Sequence, residues 1–125
     1  MLALAAAGCS ARSSKPYTAS GTAKCLTSKG FTGVTTNPVK VGFIAGFADN
    51  GGILATAPGG NVVTIAFAGD VTGAGQTEAA FRAHATPFYR RHMSDIMESK
   101  RNAVLVWQTS PTQPQIDDVL ACLGS

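Results

Sequence analysis

The sequence predicts an α+β domain: a small, mainly antiparallel sheet of four to five strands, with helices packed on one face. Three observations carry that expectation. Two apolar, β-branched runs, Ile53 to Ala57 and Val62 to Ala68, flank the turn Pro58-Gly59-Gly60-Asn61, which is the pattern of an antiparallel hairpin. Apolar residues recur at helical spacing between Thr77 and Lys100, and again at Ile116, Val119, Leu120 and Leu123. Between those helical stretches, Ala103 to Trp107 is an unbroken apolar run, short enough for a strand covered on both faces.

Taken in order, residues 10–20 (SARSSKPYTAS) are small and polar with no apolar period, so they read as a flexible linker ahead of a domain spanning 21–125. Fully extended, such a linker reaches about 35 Å. Thr22 to Lys29 predicts a short helix that Gly30 ends, with Cys25 and Leu26 turned inward. Phe31 to Thr35 alternates as a strand does, and Asn37-Pro38 breaks it. Val39 to Phe47 is expected to be extended or irregular, because Gly42 and Gly46 weaken both regular structures. Asp49-Asn50-Gly51-Gly52 marks the turn into the hairpin.

In the long helical region, Phe81, Ala85, Phe88, His92 and Ile96 share a face, and Pro87 divides it into two helices with Thr86 capping the second. The long helix and both terminal helices are expected on the same side of the sheet. Thr112 and Gln115 form a capping box around Pro114 for the last helix, which turns Asp117 and Asp118 to water. The resulting order is similar to that of ferredoxin-like sandwiches, an analogy that carries no function.

Composition narrows the function classes. At 125 residues with 14% charged side chains and 14 glycines, the chain is a single folded domain with a nearly neutral, turn-rich surface. A net charge of +3 without interleaved basic and aromatic residues gives no nucleic-acid footprint.

Leu2-Ala3-Leu4-Ala5-Ala6-Ala7-Gly8-Cys9-Ser10 resembles the end of a bacterial lipoprotein signal peptide, an apolar run and small residues leading to a cysteine. Ala6 stands where that family usually has leucine, and no basic segment precedes the run. The resemblance implies that residues 1–9 are a shortened signal remnant with Cys9 the lipidation site, and that the domain is exported and anchored to the cell envelope. It also implies an oxidising compartment in which Cys25 and Cys122 remain as a pair to be bridged. In a reducing compartment the same two would be buried thiols.

Two further motifs bear on chemistry. Gly69-Asp70-Val71-Thr72-Gly73-Ala74-Gly75-Gln76-Thr77 follows a strand and precedes a helix, as a phosphate cradle does. Gln76 replaces the P-loop lysine and Glu78 replaces the third dinucleotide glycine, so the stretch reads as a flexible loop with a Thr or Gln cap. His92 and Asp95, three apart and next to Arg91, are weak candidates for general-base catalysis; the blander reading is a solvated basic face. No cysteine and histidine spacing points to a metal, and no cofactor is expected.

Phe43, Phe47, Phe67, Phe81, Phe88 and Trp107 are expected mainly in the core. The favoured function is a lipid-anchored envelope domain with a binding or structural role and no enzymatic chemistry. Its partners would be the membrane, through a lipid on Cys9, and an envelope protein or a small apolar ligand. The alternatives are an envelope hydrolase using His92, Asp95 and Arg91, and an apolar-ligand carrier. Convergence of those three residues on a cleft would favour the first alternative; a void lined by phenylalanines would favour the second.

Overall fold

A computed structural model describes residues 15–125. Cys9 and the signal-like segment lie outside the described residues. The elements run α1 (Ala19–Ser28), β1 (Thr32–Thr35), α2 (Pro38–Val41), α3 (Phe43–Gly46), β2 (Gly52–Thr56), β3 (Val62–Phe67), α4 (Val71–His84), α5 (Pro87–Arg91), α6 (Met93–Ile96), β4 (Met97–Lys100), β5 (Ala103–Trp107) and α7 (Gln113–Cys122). The fold is α+β, with a five-stranded sheet in the order β1-β2-β3-β5-β4 and every neighbouring pair antiparallel.

The expected hairpin forms in the register Ile53↔Ile65 and Ala55↔Val63, and β5 adds beside it with Ile65↔Leu105. Because side chains alternate along a strand, that register divides the sheet into two apolar faces. Ile53, Ile65, Phe67, Leu105 and Trp107 belong to one cluster, packed with Leu26, Val119 and Cys122 of the terminal helices. Ala66, Val104, Leu54 and Val106 face the other way and meet Val41, Ala45 and Ala74. The terminal helices therefore share a face as expected, whereas α4 and the α2 and α3 turns cover the opposite one. A sheet with two apolar faces has to be covered twice.

The chain from β3 to β4 gives half of the ferredoxin-like comparison physical content. Strands β3 and β4 are each antiparallel to β5, hence parallel to one another, with β5 between them and α4 in the connection. That is a split βαβ unit. The other half of the sheet, β1-β2-β3, is a plain meander.

Several local expectations are corrected. Residues 15–18, assigned to the linker, are tied into the domain: Thr18 caps α1 and Ala19 is buried. Val39 to Phe47 is not extended but folds into the α2 and α3 turns, hinged at Gly42, whose φ of 106° suits glycine. These turns sit directly on backbone, since a Cβ at Gly52 would lie 2.3 Å from the Ala45 carbonyl oxygen.

The Gly69–Gly75 stretch is not a loop either. Helix α4 starts at Val71, and the Asp70 carboxylate, not Thr or Gln, caps it by accepting from the Gly73 N–H at 2.7 Å. Gly73 is needed for contact, because a Cβ there would meet Ala68 Cβ at 3.2 Å. The break at Thr86-Pro87 occurs as expected. Helical structure ends at Ile96, however, and Met97 to Lys100 is an edge strand. Its exposed Glu98 and Lys100 are the charges an edge carries to discourage further pairing.

Helix α7 has the anticipated capping box of Thr112 and Gln115. A disulfide joins Cys25 of α1 to Cys122 of α7 across a separation of 97 residues, with the Cα atoms 5.3 Å apart.

Candidate functional site

Helix α4 covers only part of its sheet face. Ala74 brings its first turns against Ala66, Ala68 and Val104. Past the half-buried Phe81, the helix leaves the ends of β3 and β5 open to an apolar groove of about 430 Å³, within the range of small-molecule sites. Val62, Thr64, Val106 and Gln108 form the floor, the α2–α3 corner with Phe43 forms one wall, and Phe81, His84, Ala85 and Tyr89 form the other. Trp107, the chain's only tryptophan, and Met93 also border it, although both pack in the cluster on the terminal-helix face.

The aromatic residues expected in the core divide between two environments. Phe67 and Trp107 are buried, but Phe43, Phe47 and Phe88 are 65%, 74% and 58% exposed. Of these three only Phe43 lines the groove, where Phe81 and Tyr89 join it, and aromatic rings gathered at a groove mark a binding surface in a way that the isolated exposed Phe47 and Phe88 do not. Phe43 is held in place by an edge-on contact with the His84 ring, the centroids 5.2 Å apart. His84 Nδ1 lies 2.9 Å from the Ala80 carbonyl oxygen, so that nitrogen carries a proton and Nε2 is left for another partner.

The catalytic candidates lie elsewhere. His92 Nδ1 and Asp95 Oδ2 are 3.8 Å apart, beyond hydrogen-bond distance, with side chains 49% and 60% exposed. The His92 ring packs on Phe88, at 4.8 Å between centroids. Arg91, at the end of α5, is exposed and makes no ion pair with Asp95 among the described residues. None of these three lines the groove.

Nor do three or more His, Cys, Asp or Glu side chains gather as metal ligands among the described residues. Within those residues no helix is long and apolar enough to cross a membrane. The chain matches no protein-family model, no curated protein and no solved structure.

Sequence reasoning therefore named the candidate aromatics and missed the groove. Phe43 and Phe81 are brought together there, joined by Tyr89 and His84.

Proposed function

We propose that the chain is an exported binding domain, tethered to the envelope through a lipid on Cys9, whose groove takes a small apolar ligand. The observation that supports this reading is that Phe43, Phe81 and Tyr89 stand around an uncharged floor of Val62, Thr64, Val106 and Gln108. Leaving Phe43 two-thirds exposed costs hydrophobic free energy, which a ligand closing over the ring would recover. Thr64 and Gln108 offer a small number of polar groups to orient such a ligand.

A neutral solvatochromic dye is expected to bind with enhanced emission and to quench Trp107, which serves as an internal reporter. Phe43→Ser is expected to weaken the dye by about tenfold, the equivalent of roughly one partly buried ring. Because the ring is already mostly solvated, stability should change by less than about 0.5 kcal/mol. Equal dye affinity for the variant and the parent chain would remove the groove as the site.

The tether has its own measurement. Intact mass of the natively expressed chain is expected to show acyl chains on a mature terminus at Cys9, and their loss in Cys9→Ala. An unmodified mass that retains the residues before Cys9 would end the anchoring proposal.

A further inference from the structure

We infer that the groove's ligand is a single-chain amphiphile with an anionic head, its tail on the apolar floor and its head at the rim beside Arg90 and His84. The inference rests on the groove being a ligand site and adds the charge of what it takes. The walls come from two stretches of chain, residues 36–48 and 79–94, and neither contains an aspartate or glutamate. Together they hold Lys40, Arg82, Arg90, Arg91 and two histidines, with Glu78, Asp95 and Asp49 only at their borders.

The floor is uncharged, and His84 is the one ionisable side chain among the lining residues able to become a cation. Of the basic side chains on the two stretches, only His84 lines the groove and only Arg90 is tied to one of its walls. A cation held at the rim of a low-dielectric trough raises the positive potential at its mouth. A neutral ligand would gain nothing from that potential, and a cationic one would be repelled.

Two of these groups are placed for direct contact. Arg90 Nη2 donates to the carbonyl oxygen of Ala85, itself a wall residue, at 3.1 Å. This fixes the guanidinium at the rim while its remaining N–H groups stay available for a fork-like contact with a carboxylate or phosphate. His84 presents Nε2 on the same wall, since its Nδ1 donates to the Ala80 carbonyl oxygen, and Nε2 can donate to an anionic head only when the ring is protonated. Tail and head sites are thus adjacent, as an amphiphile requires.

Decanoate, decanol and decylamine share one tail and differ in head charge, so their affinities measured by Trp107 emission on the whole chain separate the two contributions. Decanoate is expected to bind about tenfold tighter than decanol at low salt, with decylamine weakest, and the gap should narrow as salt rises. Arg90→Gln should bring decanoate to within about threefold of decanol and leave decanol unchanged. Lys29→Gln, which removes a charge on the far side of the sheet, should alter neither.

If all three bind alike, or the amine binds best, the anionic head is refuted and the groove survives. If none binds, the groove reading fails and takes this inference with it. Far-UV circular dichroism of Arg90→Gln guards against misfolding, and decanol binding by that variant confirms an intact groove. Sedimentation with phosphatidylglycerol vesicles, compared with phosphatidylcholine vesicles, distinguishes a bilayer source of the amphiphile from free monomer: capture by the anionic vesicles alone supports the bilayer, and no capture supports the monomer.

Discussion

Replacing Cys25 and Cys122 together with alanine is expected to lower the unfolding free energy by about 4 kcal/mol. The bridge spans 97 residues, so in the reduced chain the unfolded ensemble regains nearly the whole loop's freedom. Alanine at both positions leaves no lone thiol to mispair. It also keeps the contact between α1 and α7, where Leu26 and Val119 are fully buried, so that core packing is disturbed little. A urea titration distinguishes the causes: removing the crosslink should raise the slope with denaturant, because the unfolded state expands, while lost packing alone would leave the slope unchanged. Reductant added to the parent chain should reproduce the variant's midpoint. A double variant as stable as the parent, under conditions where the parent's mass shows an oxidised pair, would mean that the bridge is not a main fastening of the fold.

What was legible in the sequence depended on whether an element's identity is local. The hairpin of Ile53–Thr56 with Val62–Phe67 was readable because its turn residues and its apolar runs point the same way. The last helix was readable from Thr112, Pro114 and Gln115 alone. Met97 to Lys100 was not, since Met-Glu-Ser-Lys is as acceptable on a helix surface as on an edge strand, and only pairing with Ala103–Val106 makes it a strand. Gly73 was read as loop flexibility when it is a contact point against Ala68, a distinction that exists only in three dimensions.

The groove was hidden for a related reason. Its floor depends on Thr64 and Val106 facing α4 while Ile65 and Leu105 face the terminal helices, so it exists only if helices cover both faces. Composition treats Phe43 and Phe67 alike, yet their burial differs because one lies on a short turn at the rim and the other on a central strand.

Asn102→Ala is expected to cost about 3 kcal/mol, a large effect for removing one amide. Asn102 is 2% exposed and uses its whole side chain. Oδ1 accepts from the Tyr17 N–H at 2.8 Å, and Nδ2 donates to the carbonyl oxygens of Tyr17 and Ala68, each at 2.8 Å. At roughly 1 kcal/mol per lost hydrogen bond the three account for the estimate. Ala68 keeps a partner in Asn50 Nδ2 at 2.9 Å, so the damage falls mainly on the segment around Tyr17.

Asn102→Asp should be worse than alanine, because it turns a donor into an acceptor facing two carbonyl oxygens and buries a charge. Arg101, whose guanidinium lies 4.4 Å above the Tyr17 ring, holds the same segment from the surface and cannot replace the lost amide. Chain release at residues 15–18 is therefore expected in both variants, visible as faster amide exchange there and as earlier proteolytic cleavage. Asn102 lies at one end of β5, about 13 Å along the strand from Val106 in the groove floor. If the chain before Tyr17 is the tether proposed above, the groove would lie at the opposite end of β5 from the attachment. Unchanged stability and exchange in Asn102→Ala would show that the segment before α1 is fastened by something other than this amide.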